Sequence, residues 1–177
     1  MKTLYLIDGY AQFFRAYHAI RTPMSSPVTK EPTNLSFGFI GMLLKLLRGS
    51  PAMGGKPDYL ACVLDVSSDR GTFRTQMYEP YKANRPPPPE GLPEQVERCK
   101  ATMAAMDIPL LGAEGFEADD VIATLVDYYT KQAARTGEPL RIRILSKDKD
   151  LKQLLSTGPS PVELFDIHTD EVIDVAK

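Results

Sequence analysis

Residues 114–126 read EGFEADDVIATLV, and an apolar helical stripe follows directly behind a group of acids. Gly115 ends the preceding element, so Glu117, Asp119 and Asp120 fall in the first turn of a predicted helix. The helix dipole favours an acid in this position by about 0.3–1 kcal/mol, which accounts for one or two of them. Because neighbouring carboxylates repel and raise each other's pKa, the stretch indicates a site for a divalent cation.

The composition is typical of a globular domain with a hydrophobic core. Of the 177 residues, 43% are hydrophobic and 25% are charged. No apolar run approaches the ~20 residues that span a bilayer, and an acid follows the first strand too early for a secretory signal, so no membrane partner is expected. Cys62 and Cys99 form no disulfide or metal-binding spacing, which favours a reducing, cytoplasmic location. The net charge of −2 argues mildly against a protein coated in nucleic acid, although acids at a metal site can mask a local basic surface.

Apolar strands alternate with amphipathic helices along the chain. The predicted strands are 4–7, 59–64, 108–111, 140–145 and 162–167, and the predicted helices are 10–20, 35–47, 93–106, about 117–134 and 151–155. Asn34 is expected to cap the second helix, and another helix is expected to begin within 169–176. This alternation indicates an α/β fold with a mostly parallel central sheet, forming a single domain over 1–177.

Acids also follow the ends of other predicted strands. Asp8 and Asp65 close the first two strands, and Asp148 and Asp150 follow the fourth. Any one of them would ordinarily be a turn or helix cap, and the last pair could be a solvated turn neutralised by neighbouring lysines. Because ligands of open parallel sheets bind outside the carboxyl ends of the strands, we expect all of these acids at one edge. Oxygen ligands suit Mg²⁺ or Mn²⁺, and two such ions would activate a water and stabilise the leaving oxygen of a phosphodiester.

A basic and aromatic stretch lies between the second and third strands. Residues 70–85 contain four cations against one acid, with aromatic rings between them. Such interleaving is typical of single-strand binders, whereas the alternative is a solvated surface helix with core aromatics. Lys82 and Arg85 are candidates to hold the scissile phosphate. Phe14 and Arg15 could stack on a base and bind a phosphate, although core packing is the simpler role for Phe14.

Several segments, taken together, resemble a known family. They are LIDG at 6–9, VLD at 63–65, FR at 73–74, YKANRP at 81–86, GFEADD at 115–120 and LSKDKDL at 145–151. In this order and spacing they resemble the N-terminal 5′-nuclease domain of bacterial DNA polymerase I and its relatives, the flap endonucleases.

The resemblance implies a PIN-like three-layer fold with a flexible helical arch at about 66–92. It implies a 5′-3′ exonuclease or structure-specific flap endonuclease of replication and repair, which uses two Mg²⁺ or Mn²⁺ ions. Its substrates would be DNA with 5′ flaps or single-stranded 5′ ends, and RNA primer–DNA hybrids. The implied metal ligands are Asp8, Asp65, Glu117, Asp119, Asp120, Asp148 and Asp150. The implied nucleic-acid contacts are Phe14, Arg15, Arg74, Tyr81, Lys82 and Arg85, with catalytic roles for Lys82, Arg85 and Asp119.

The chain departs from the family pattern in two ways. Bacterial members often have Tyr where Phe14 stands, so the ring is kept and the hydroxyl is lost. Family members also continue with further metal-binding aspartates and a helical duplex-binding motif. The chain is therefore expected to lack its C-terminal duplex-binding half and to act with a polymerase domain or a separate duplex-binding partner. The alternatives are a PIN-like ribonuclease and a nucleic-acid-binding module left inactive by truncation.

Overall fold

A mostly parallel six-stranded sheet is the centre of the chain in the computed structural model, which describes residues 1–67, 71–78, 80 and 86–176. Its strands are β1 (Lys2–Asp8), β2 (Tyr59–Val63), β3 (Leu110–Leu111), β4 (Leu140–Leu145), β5 (Val162–Asp166) and β6 (Glu171–Ile173). They lie in the order β3-β2-β1-β4-β5-β6, and only the β5–β6 pair is antiparallel. The predicted α/β class and mostly parallel sheet are therefore confirmed.

Helices cover both faces of this sheet. They are α1 (Gly9–Ala19), α2 (Asn34–Arg48), α3 (Phe73–Met77), α4 (Leu92–Ala105) and α5 (Ala118–Thr136), with short 3-10 helices at Pro51–Met53 and Asp150–Leu154. Successive side chains of a strand point to opposite faces, so β1 contributes to two cores. Tyr5 and Ile7 pack with α1, α2 and α4, whereas Leu4 and Leu6 pack with Ile122 of α5 on the other face. This arrangement gives the predicted three layers.

Two local predictions are wrong. Residues 169–176 do not form a helix, because Asp170 adopts a left-handed conformation (φ 56°) that turns the chain back, and β6 pairs with β5 as an edge strand. Asn34 is not the cap of α2 but its first residue, and the preceding Thr33 makes no side-chain cap bond. The cap comes from α4, where the buried Gln95 side chain accepts N–H bonds from Leu35 (2.9 Å) and Ser36 (3.2 Å).

The predicted arch region is only partly described. Its described helix is α3, five residues long. Tyr81, Lys82 and Arg85 lie outside the described residues, so their assigned roles stay predictions. Among the helices that the structure does describe, none is both long and apolar enough to cross a membrane.

Candidate metal centre

The sheet order places several acids at the carboxyl ends of neighbouring strands. The chain leaves β1 toward β2 and β3 on one side, then crosses to β4 and β5 on the other, so the strand order reverses beside β1. Ligands of open α/β sheets bind in the crevice at such a reversal. Asp8 ends β1, Asp65 follows β2, and Asp148 follows β4. Glu117 and Asp119 lie at the start of α5, after β3.

Asp8 lies deepest in this crevice and is held by two hydrogen bonds. The residue is 7% exposed, and its Oδ1 accepts the Ala11 N–H (3.4 Å) at the start of α1. Its Oδ2 accepts the Ser146 hydroxyl (2.7 Å), and the Ser146 oxygen in turn accepts the Asp148 N–H (3.1 Å). Burial raises the pKa of Asp8, and the charges of Asp65 and Asp148 add to this effect. Ser146 thus connects the acid that ends β1 with the acid that follows β4.

The start of α5 is bonded to the loop after β2. Asp65 Oδ1 accepts the Ala118 N–H at 2.7 Å, which uses one of the unpaired donors of the helix start. Glu117 caps the helix and exchanges hydrogen bonds with Asp120, whose Oδ2 accepts the Glu117 N–H at 3.0 Å. These bonds fix the first turn of α5, in which Asp119 lies between the two capping residues.

The pKa of Asp119 is raised by its surroundings at this edge of the sheet. Burial, followed by the charges of Asp8, Asp148, Asp65 and Glu117 in that order of importance, raises its pKa to about 7. These carboxylates come from four separate chain segments, so five of the seven acids that were expected at this edge lie near one another. A set of carboxylate oxygens without nitrogen or sulfur ligands fits a hard divalent cation. Within the described residues, however, no three acid, His or Cys side chains already form a compact metal-binding group.

Asp120 faces a different partner. Both of its oxygens accept the guanidinium of Arg74, from Nη1 at 2.6 Å and from Nη2 at 2.7 Å. Glu117 lies 3.4 Å from the same Nη1. The guanidinium also stacks on the Phe73 ring, 4.8 Å from its centroid, and that ring contacts Phe116. Arg74, predicted to contact nucleic acid, therefore joins α3 to the acids at the start of α5.

The other predicted site residues lie around this edge. Asp150 is exposed and donates its backbone N–H to Asp148 Oδ1 (2.9 Å). Phe14 is 40% exposed, which leaves part of its ring accessible. Arg15 makes a two-pronged ion pair with Asp166, at 2.9 and 3.2 Å.

Sequence reasoning missed two residues at this edge, Ser146 and Asp166. Nothing in the local pattern distinguishes Ser146 from an ordinary loop serine. Asp166 ends β5 just as Asp8 ends β1, so the rule that drew attention to strand-end acids would have found it. Burial alone would raise the pKa of Asp166, but hydrogen bonds from Arg15, Lys147 and the His168 N–H lower it well below its usual range.

Known proteins resemble this chain in sequence. The family described as the 5′-3′ exonuclease, N-terminal resolvase-like domain, matches residues 3–177. A DNA polymerase I of Rhizobium leguminosarum is 40% identical over 174 residues, which cover 97% of this chain and 16% of the polymerase. A 5′-3′ exonuclease of Aquifex aeolicus is 36% identical over 156 residues, which cover 88% of this chain and 49% of that protein. The chain thus spans half or less of the length of these relatives.

A solved structure shares the fold. The T5 5′-exonuclease with bound divalent metal ions (zinc) superposes with a TM-score of 0.61 over 98% of this chain and 58% of the T5 chain. At 21% identity this likeness concerns the fold alone. It agrees with the PIN-like fold that was predicted from the sequence motifs.

Proposed function

Because this chain belongs to the family of 5′-3′ exonuclease N-terminal resolvase-like domains, we propose that it is a divalent-metal-dependent nuclease. It hydrolyses phosphodiester bonds of DNA near 5′ flaps and single-stranded 5′ ends, as an exonuclease or flap endonuclease of replication and repair. The observation that carries the proposal is the gathering of Asp8, Asp65, Glu117 and Asp148 around Asp119, whose pKa their charges and its burial raise. Without a cation, the carboxylates of such a cluster repel one another. With a bound cation, the cluster is suited to phosphoryl chemistry.

The proposed metal is Mg²⁺ or Mn²⁺, held as two ions in the complete domain. Asp8, Asp65, Glu117, Asp119 and Asp148 are the proposed ligands nearest the crevice, and Asp120 and Asp150 complete the proposed set. When bound, these ions supply charge stabilisation at the phosphate and a water of lowered pKa. The T5 5′-exonuclease binds divalent metal, which supports the same requirement here.

The protein's own residues orient this site. Ser146 holds Asp8, the Ala118 N–H holds Asp65, and Arg74 holds Asp120, so several carboxylates have a hydrogen-bond donor behind them. Ligands held in this way lose less side-chain entropy when a cation binds. Lys82 and Arg85 are proposed to offset the charge that develops on the phosphate, and Tyr81, Phe14, Arg15 and Arg74 to bind the strand.

The proposed partners follow from the relatives. The chain aligns with 16% of a DNA polymerase I, so we propose that a polymerase domain or a separate duplex-binding partner works with it. RNA primer–DNA hybrids are proposed as substrates beside flapped DNA. A reducing, cytoplasmic location suits Cys62 and Cys99, which are both buried and unpaired.

The decisive experiment compares Asp119→Asn with the parent chain on a 5′-flap DNA in Mg²⁺ or Mn²⁺. The isosteric change removes the charge, so cleavage should fall by at least about 100-fold, in line with loss of a metal ligand. Asp127→Asn is the matched control, because Asp127 lies on the same helix in an exposed pair with Lys131. If Asp119→Asn cuts as well as the parent, the assigned metal centre is wrong.

A matched RNA flap and a binding assay separate the alternatives. Preferential cutting of RNA would favour a PIN-like ribonuclease. Binding of the DNA flap in Ca²⁺, with no cutting in Mg²⁺ or Mn²⁺, would favour an inactive binding module.

A further inference from the structure

A buried carboxylate beside the acidic edge holds two cations side by side. Asp166 is 6% exposed and lies at the end of β5. Its Oδ1 accepts Arg15 Nη1 at 2.9 Å, and its Oδ2 accepts Arg15 Nη2 at 3.2 Å and Lys147 Nζ at 2.9 Å. The His168 N–H fills a further position on Oδ1 at 3.0 Å. The carboxylate is thus enclosed by donors, which explains its strongly lowered pKa.

The cations of this cluster are accessible although their shared partner is not. The side chain of Lys147 is 62% exposed and that of Arg15 is 24% exposed. A guanidinium has five N–H donors and an ammonium has three, so the bonds to Asp166 leave donors on both for a ligand. Two cations against one carboxylate leave a local charge of about +1. One cation would be enough to neutralise the buried carboxylate of Asp166. An ion pair with an exposed lysine adds little to the free energy of unfolding.

The cluster flanks the candidate metal centre. Lys147 directly precedes Asp148, and Arg15 belongs to α1, whose start is capped by Asp8. Since β1, β4 and β5 are neighbours in the sheet, the cluster lies on the β5 side of the same carboxyl edge.

We propose that Arg15 and Lys147 act as one phosphate-binding pair and that Asp166 is the positioning residue that holds them together. The inference rests on the proposed function, because the ligand is a backbone phosphate of the nucleic-acid strand bound along the acidic edge. Asp166 itself does not meet the strand, since the two cations cover it. Fixing two long side chains in advance removes much of the entropy cost of binding the phosphate. Lys147 is thereby added to the residues that are proposed to bind the nucleic-acid strand.

The test measures binding of a 5′-flap DNA in Ca²⁺ by fluorescence anisotropy over a series of salt concentrations. Lys147→Ala should raise Kd about 3- to 10-fold and reduce the slope of log K against log salt by about 0.7–0.9, the loss of one phosphate contact. Lys147→Arg should restore both values, because the cation returns. Lys152→Ala is the matched control, since Lys152 is exposed, lies nearby and has the same charge.

Asp166→Asn distinguishes positioning from simple electrostatics. Removing a negative charge near DNA should tighten binding on Coulomb grounds alone, whereas loss of the shared anchor should weaken it about 3-fold or more. Two outcomes would overturn this inference but not the proposed function. The first is that the parent binds and Lys147→Ala has the same Kd as Lys152→Ala. The second is that a folded Asp166→Asn binds more tightly than the parent. Failure of the parent chain to bind the flap at all would overturn this inference together with the proposed function.

Discussion

The guanidinium of Arg74 and the carboxylate of Asp120 form a two-pronged ion pair, with donor–acceptor distances of 2.6 and 2.7 Å. The pair joins α3, the described helix of the predicted arch region, to the first turn of α5. Two further hydrogen bonds run alongside it, from the Phe73 N–H to the Gly115 carbonyl (2.8 Å) and from the Gly115 N–H to the Ser67 side-chain Oγ (2.7 Å). The base of the arch region is therefore bonded to the loop that carries the candidate metal ligands.

We expect Arg74→Ala to lower the free energy of unfolding by about 1–2 kcal/mol, between the values for exposed and buried pairs. The loss arises because Asp120 and Glu117 keep their mutual repulsion and lose this cation, whose side chain is only 31% exposed. Urea unfolding measures the change. Lys131→Ala breaks an exposed pair on the same helix and should cost less than about 0.5 kcal/mol. Equal effects of the two substitutions would contradict the role given to Arg74.

Stability in EDTA should depend on pH through Asp119. Its pKa is about 7 in the folded chain, whereas an unfolded aspartate titrates near about 3.9. Between these values the unfolded chain releases a proton that the folded chain retains, so stability falls as pH rises from about 4 to about 7. Asp119→Asn should flatten this fall, measured as the urea midpoint at pH 4.5 and pH 7.5. Asp8, whose pKa is also raised, should retain part of the slope.

A prediction about metal affinity concerns Ser146. Its hydroxyl donates to Asp8 and stabilises the charged carboxylate, which is the form that binds metal. Ser146→Ala should weaken Mn²⁺ binding at pH 7 about 10-fold, as measured by calorimetry. Ser160→Ala serves as the control, because Ser160 Oγ accepts the Leu140 N–H (3.1 Å) at the opposite end of β4. Unchanged Mn²⁺ affinity in Ser146→Ala would remove Ser146 from the site.

Gly9 should not tolerate a side chain. A Cβ at this position would meet Leu64 and lie 2.9 Å from the Val63 carbonyl oxygen, so α1 would have to move away from β2. Gly9→Ala should therefore destabilise the chain by about 1–3 kcal/mol, the usual cost of overpacking.

The glycine at position 41 provides a matched comparison. It lies inside α2, and a Cβ there meets nothing within 4 Å. Gly41→Ala should stabilise the chain by about 0.5–1 kcal/mol, because alanine has the higher helix propensity. The two thermal transitions should move in opposite directions, and parallel shifts would contradict the packing described for Gly9.

The local pattern of apolar and polar residues predicted most of the helices and strands. Helical and strand periodicity are properties of short segments, so β1, α2, α5 and β4 follow from spacing alone. The short edge strand β6 is predicted wrongly as the start of a helix, because its few apolar residues fit both the helical and the strand periodicity. The acids at strand ends also follow from the local sequence, since parallel strands bring their carboxyl ends to one edge.

Amino-acid order alone therefore predicts a parallel α/β sheet with an acidic carboxyl edge. It does not reveal which donor holds each acid, because those bonds join residues far apart in the chain. Arg15 and Asp166 are separated by 151 positions, and Asp8 and Ser146 by 138. Such pairs form only when β1, β4 and β5 lie side by side, since a hydrogen bond depends on distance and angle in the folded chain.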